Sequence, residues 1–163
     1  MIRKLTEADI PIILDIYSYY IKNTVITFET KVPTLDDFRK RITAIAKDYP
    51  FLIKEINGTI VGYAYLDHFN QRQAYDCTAD LSIYLDYKHL GLGYGQELME
   101  AIINEAKKLQ YWNIVSIITA NNTRSERIHA RFGFEKMVTF KDFGIKFNQP
   151  LSISYYVLRL KEN

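Results

Sequence analysis

Apolar and polar positions change period several times along the chain, and each change marks an element. Residues 2–5 read as a short strand. Thr6-Glu7-Ala8-Asp9 follows as a helix entry, with Thr6 as N-cap and Asp9 at the third position of a capping box. The helix it opens carries Ile13, Ile16, Tyr17 and Tyr20 as an apolar stripe. A second helix opens at Thr34 after Pro33 and sets Leu35, Phe38, Ile42 and Ile45 on one face. Strand-like runs at 51–56 and 60–66 flank Asn57-Gly58, a dipeptide suited to a two-residue hairpin turn. Residues 80–86 alternate strictly, with Leu81, Ile83 and Leu85 on one face and Asp80, Ser82 and Tyr84 on the other. A third helix runs through Leu98, Met99, Ile102, Ile103, Ala106 and Leu109. Residues 113–119 are rich in Ile and Val and suit a strand buried on both faces. A short fourth helix covers about 124–132 and stops at Gly133, and runs at 134–139 and 153–160 close the chain as strands.

This order predicts an α/β (α+β) fold, a mixed and mostly antiparallel sheet of six to seven strands flanked by about four helices. Only residues 80–119 have the strand–helix–strand form that implies a parallel pair. No repeat, low-complexity tract or linker divides the chain, so residues 1–163 are expected to form a single domain.

Composition narrows the function classes. A hydrophobic fraction of 48%, with Tyr 13 and Phe 9, supplies a real core and argues against disorder. The formal net charge is only +2, so neither nucleic acid nor an anionic membrane is expected as a partner. No apolar run approaches the roughly 18 residues of a membrane span, and the N-terminus shows no signal-peptide pattern; a cytoplasmic protein is expected. The single cysteine, Cys77, can form neither an internal disulfide nor a thiolate cluster, and strand parity turns it away from Asp80 as a packed thiol. His68 and His89 lack metal-type spacing, and no metal is expected. Lys107-Lys108 reads as a solvated helix face, and Trp112 as core or subunit surface.

Three of the seven glycines, Gly91, Gly93 and Gly95, fall within five residues between a strand and a helix. Such a loop can turn tightly and aim its N–H groups at an anion beside the positive end of the helix dipole. It can also be a tight turn that binds nothing. The spacing is not G-x-G-x-x-G, and no Gly-Lys-Ser/Thr is present, which disfavours dinucleotides and P-loop nucleotides. Coenzyme A remains, because its pyrophosphate can be held almost wholly by backbone amides.

Residues 82–86 followed by 89–95 resemble the acyl-CoA-binding motif of the GNAT superfamily of N-acetyltransferases, Arg/Gln-x-x-Gly-x-Gly/Ala. Gly93 and Gly95 match, and Leu90 stands at the Arg/Gln position. The phosphinothricin N-acetyltransferase-like branch is resembled in particular, through Asn23-Thr24, Thr27-Phe28-Glu29, Gly62-Tyr63-Ala64-Tyr65 and Ala74-Tyr75. Asn122-x-x-Ser125-x-x-x-His129-x-x-x-Gly133-Phe134 and Phe143-Gly144-x-Lys146-Phe147 continue the match in order and spacing.

The resemblance implies acetyl-CoA as co-substrate, held by Leu90, Gly91, Leu92, Gly93, Tyr94 and Gly95, by the backbone of Leu85, and by Asn122 and Ser125. It implies Asp80 as the base that deprotonates the amine, one methylene shorter than the Glu of related enzymes and so acting through a bridging water; otherwise Asp80 is a strand-end acid facing solvent. It implies His129 near the CoA thiol, as proton donor to the leaving thiolate or as a buried, hydrogen-bonded histidine. Phe28, Glu29, Tyr75, Asp76 and Lys146 are the substrate-side residues by position. Two departures stand out. The branch reads Tyr-Arg-Trp/His-Thr where this chain has Tyr75-Asp76-Cys77-Thr78, and Arg/Lys-Trp-Leu-Asp where it has Gln149-Pro150-Leu151-Ser152. By parity Asp76 shares the face of Asp80, so the first departure reverses a charge on an acceptor wall. The implied activity is acetyl transfer to the primary amine of a small molecule, an amino acid or analogue, by a homodimer. A protein amine as acceptor, or a CoA-binding sensor without turnover, remain as alternatives, the latter favoured by Leu90 and the shortened Asp80.

Overall fold

The computed structural model describes residues 1–161. Seven strands form one sheet in the order β1-β2-β3-β4-β5-β7-β6: β1 (Ile2–Lys4), β2 (Phe51–Ile56), β3 (Thr59–His68), β4 (Thr78–Leu85), β5 (Asn113–Thr119), β6 (Glu135–Lys146) and β7 (Gln149–Arg159). Helices α1 (Ile10–Asn23) and α2 (Leu35–Asp48) cover one face, and α3 (Tyr94–Lys108) and α4 (Thr123–Arg131) the other. Neighbouring strands are antiparallel except β4 and β5, the one pair joined by a crossover helix.

Local chemistry sets the element boundaries. The Asp9 carboxylate accepts from the Thr6 N–H at 2.7 Å and the Thr6 hydroxyl at 2.9 Å, and takes a two-pronged bond from Arg3 at 2.7 and 2.9 Å. The Arg3 guanidinium holds the Asp9 carboxyl down to about 2, and so ties β1 to the start of α1. The predicted capping box is present, with a short 3₁₀ turn at Glu7–Asp9 before the α-helix begins. Thr34 caps α2 by accepting from Asp37 N–H at 3.2 Å. Asn57 and Gly58 adopt φ of 49° and 80° and close the β2–β3 hairpin, as the dipeptide predicts.

Two apolar clusters sit on opposite faces of the sheet. Ile13, Ile16, Phe38 and Ile42 pack on Ile53 and Tyr63 on one side. Leu98, Met99, Ile102 and Ile103 pack on Leu66, Leu81, Ile114 and Ile118 on the other. Trp112 belongs to neither: it is exposed, with the Lys161 ammonium 3.7 Å above its ring, so a place in the core is excluded.

The terminal hairpin is longer than the sequence pattern indicates. Both strands extend to a tight turn at Phe147 and Asn148, which take φ of 52° and 57°. Register shifts between Lys136 and Val138 and between Phe140 and Gly144 break the period of two, so no alternation marks residues 140–146 as strand.

What positions the site is the limited pairing of β4 with β5. It covers only Thr78–Asp80 against Asn113–Val115. Beyond Asp80, β4 stays with β3 and β5 stays with β7, so the two parallel strands part and leave a gap between Leu81–Tyr84 and Ser116–Thr119.

Candidate active site

At the wide end of the gap lies the glycine loop. Asp86 caps a 3₁₀ turn at Tyr87–His89, accepting from Lys88 N–H at 3.1 Å. Gly91 and Gly93 follow with φ of 81° and 85°, and Gly93 is the N-cap of α3. A Cβ on either would meet nothing within 4 Å, so these two glycines serve backbone conformation and not packing. They border an open cleft of about 470 Å³ whose opposite wall is α4, with Arg124, Arg127 and Arg131. None of these three arginines is in an ion pair among the described residues. The sequence reading missed them, although their spacing puts all three on one helix face. Leu90 lines a second, mostly apolar cleft of about 270 Å³ with Tyr20, Ile26, Ile83, Leu85 and Ile128. The cations facing the loop therefore come from α4, while the motif position itself is apolar. Leu92 is exposed and borders neither cleft, and the Tyr94 ring lies under the Lys54 ammonium at 5.2 Å.

Asn122 and Ser125 border the apolar cleft at the start of α4, and Asn122 caps the helix by accepting from Ser125 N–H at 3.3 Å. Leu85 lies between the two clefts, its carbonyl accepting from the Tyr20 hydroxyl. His129 is 2% exposed. Its Nδ1 lies 2.8 Å from the Ser125 carbonyl oxygen and its Nε2 2.9 Å from Ser116 Oγ. A carbonyl only accepts, so Nδ1 carries the hydrogen and Nε2 accepts from the serine hydroxyl. Burial lowers the imidazole pKa, with the Ser125 carbonyl opposing. This neutral ring has both nitrogens committed within the protein. The geometry does not present it as a proton donor to a leaving thiolate, contrary to that expectation; it fits the buried, hydrogen-bonded alternative.

Asp80 sits at the vertex, in the last residue pair before β4 and β5 part. It faces the side of α1 and α2, opposite its register partner Asp67 on β3. Its Oδ1 is buried without a hydrogen-bond partner. Burial raises the carboxyl to about 7, helped by the charge of Asp67 and opposed by the Leu81 N–H and by His68. It is not a solvent-facing acid.

Strand parity fails for Asp76. β4 begins at Thr78, and Asp76 ends a 3₁₀ turn, exposed, where its charge adds to the burial that raises Tyr49 and Tyr111 and does not figure among the groups that perturb Asp80. The wall-charge argument therefore does not hold, because the chain turns at Asp76 and Cys77 before the alternation starts. Tyr75 is on the same exposed turn, edge-on to Phe69 at 5.7 Å. The thiol of half-buried Cys77 makes only long contacts, 4.0 Å to the Ala74 carbonyl and 3.9 Å to the Thr78 hydroxyl.

The segment after α1 and the end of β6 come together, as two distant motifs would if they shared a wall. Lys146 is buried and donates to the Thr27 carbonyl at 2.7 Å, and Thr119 Oγ1 donates to the Val25 carbonyl at 2.7 Å. The Lys146 ammonium is thus committed to backbone oxygens and holds the loop, where the sequence reading had it facing substrate. Glu29 pairs with Arg41 at 2.8 Å, while its Oε2 is buried without a partner. Phe28 is half-exposed beside Gly144.

A mixed seven-stranded sheet with parted β4 and β5, and a glycine loop at their mouth, defines an acyl-CoA acyltransferase fold. A family model described as the acetyltransferase (GNAT) domain matches residues 2–152, and the chain belongs to this family. It is 28% identical, over 99% of its length and 95% of the relative's, to an L-methionine sulfoximine/L-methionine sulfone acetyltransferase of Salmonella typhimurium. Among solved structures it is 33% identical to an N-acetyltransferase from Staphylococcus aureus Mu50, with a TM-score of 0.96 over 99% of this chain and 98% of the other. A phosphinothricin acetyltransferase from Sinorhizobium meliloti in complex with AcCoA gives a TM-score of 0.95 at 27% identity, covering 98% of this chain and 88% of that one.

Proposed function

We propose that this protein acetylates the primary amine of a small molecule, an amino acid or amino-acid analogue, with acetyl-CoA as co-substrate and by direct attack in a ternary complex. One juxtaposition carries the reading: an open glycine-edged cleft, walled by arginines in no ion pair among the described residues, at one end of the β4–β5 gap, and a carboxyl with a buried, unpartnered oxygen and a raised pKa at the other. Bound acetyl-CoA supplies an acetyl group activated as a thioester. The N–H groups around Gly91, Gly93 and Gly95 hold its pyrophosphate, aided by Arg124, Arg127 and Arg131, which take the part that Leu90 cannot. The apolar cleft beside Leu85, Leu90, Asn122 and Ser125 suits the pantetheine arm. Asp80 takes the proton from the substrate ammonium through a bridging water, and its lifted pKa makes it a better base than an ordinary aspartate. Phe28 and Glu29 border the acceptor from the loop that Lys146 fixes, while Tyr75 and Asp76 belong to the exposed turn before β4. His129 holds α4 on β5 through Ser116.

The chain is read as one cytoplasmic domain, and no helix among the described residues is long and apolar enough to cross a membrane. Met137, Val138, Phe140, Phe143, Ile145 and Phe147 are exposed along the terminal hairpin, a surface suited to a second copy in a homodimer. The test is release of free CoA thiol from acetyl-CoA across a panel of amino acids, their sulfoximine and phosphinic analogues, diamines and a peptide N-terminus. Turnover on a small amine supports the proposal. Turnover on the peptide alone moves the acceptor to protein, and acetyl-CoA binding without any turnover leaves the sensor alternative.

A further inference from the structure

Asp67 and Asp80 are direct register partners across β3 and β4. Residues so paired in antiparallel strands point to one face with Cβ atoms about 5 Å apart, and like charges in that position destabilise the sheet. No cation is placed between them among the described residues. On β3, His68 gives both its bonds to Asp67: its N–H and its Nδ1 each lie 2.7 Å from Oδ1. Also on β3, Tyr65 faces Ser82 of β4. On α2, Arg41 reaches this face but is paired with Glu29 at 2.8 Å. On β5 the neighbour of Asp80 is Val115. From β4 itself only the Leu81 N–H favours the charged form.

The two carboxyls are not equivalent. The Asp67 side chain is 27% exposed and anchored by His68. Asp80 is half-buried, but its Oδ1 is fully buried and without a hydrogen-bond partner. We propose that Asp67 is a positioning residue for the transfer reaction: a fixed negative charge across the strand pair that makes Asp80 a stronger proton acceptor toward the substrate ammonium. The inference rests on the reading of Asp80 as base. In the step, a substrate N–H bond breaks and its proton bonds to an Asp80 oxygen, directly or through one water. The freed nitrogen lone pair attacks the thioester carbon, the C–S bond breaks and the CoA thiolate leaves, taking up through water the surplus proton of the new amide nitrogen. Asp80 returns its own proton to solvent, and Asp67 neither gains nor loses one. The pair thus offsets the weak basicity of an ordinary aspartate.

The test is the pH profile of kcat/KM for wild type, Asp67→Asn and Asp67→Ala, with Asp80→Asn alongside. The acid limb is expected to move down by about one pH unit in both Asp67 variants, as loss of a like charge requires. Asp67→Glu should restore most of that shift. A limb that stays in place in both variants overturns the proposal. If Asp80→Asn keeps wild-type turnover, the base reading fails separately. The pair is then judged by carboxyl ¹³C NMR, which needs no turnover: a lower Asp80 midpoint in Asp67→Asn supports the coupling, and an unchanged one overturns it.

Discussion

The ring of Phe28 fills the space that a side chain at position 144 would need: a Cβ on Gly144 would stand 2.5 and 2.7 Å from two of its carbons. Two sequence motifs more than a hundred residues apart are thereby one wall, which Lys146 pins by its bond to the Thr27 carbonyl. Gly144→Ala forces the ring out and should lower stability by about 1–3 kcal/mol. The acceptor KM should rise several-fold while acetyl-CoA affinity stays the same. Adding Phe28→Ala to that variant should recover part of the stability, since the clash has lost its partner. Strictly additive losses in denaturant titrations would show that the two residues do not share this space.

Much of this arrangement was legible in sequence, and the failures have physical causes. Thr6 with Asp9 and Asn57 with Gly58 are local devices, in which the residues that make the bonds are neighbours in the chain, so their types suffice. The long β6 escaped because its bulges remove alternation, and Asp76 was misread because parity was carried back across a turn. Arg124, Arg127 and Arg131 were missed, since nothing local says that the glycine loop lies opposite. Lys146 and His129 have ordinary side chains whose partners, Thr27 and Ser116, are remote. Only tertiary contact shows that both are already bonded.

His129→Gln tests the structural role of that ring. A general acid would cost roughly 10²–10⁴ in kcat, whereas loss of a structural contact should cost less than about tenfold. Stability should respond to pH as well. The native imidazole has a lowered pKa, so below about 6.5 the unfolded chain binds the extra proton and the wild type loses stability as pH falls. The variant should lack that component of acid sensitivity. Melting temperatures at about pH 8 and about pH 5 decide it, and equal pH dependence in both proteins would mean that the ring is not neutral and buried in solution.

Gly93→Ala isolates the glycine loop. With φ at 85° and no atom within 4 Å of the added Cβ, the substitution brings backbone strain of about 1–2 kcal/mol and no clash. If the loop cradles phosphate, relieving that strain re-aims its N–H groups, and acetyl-CoA affinity should fall about tenfold or more. Gly58→Ala is the matched control, because Gly58 has φ of 80° and equally open surroundings in a distant hairpin. It should destabilise the fold to a similar extent and leave binding unchanged. Calorimetric titration with acetyl-CoA compares the two directly.

Asp80→Asn separates the carboxyl's chemistry from its cost to the fold. Removal of the base should lower kcat by about 10² or more with little change in acetyl-CoA affinity. The folded-state pKa is raised from 3.8 to about 7, so between those values the native protein holds a proton that the unfolded chain has lost. Stability then declines as pH rises through that window and levels off above it, because the native state must carry a buried charge. The amide carries no such penalty at any pH. Asp80→Asn should therefore match the wild type in stability at about pH 4 and exceed it at about pH 8, the gap opening steadily as pH rises from about 4 to about 7 and levelling off above that. A gap of constant size across that range in thermal melts would mean that the carboxyl titrates as an ordinary exposed aspartate, and the argument for it as a tuned base would fail with it.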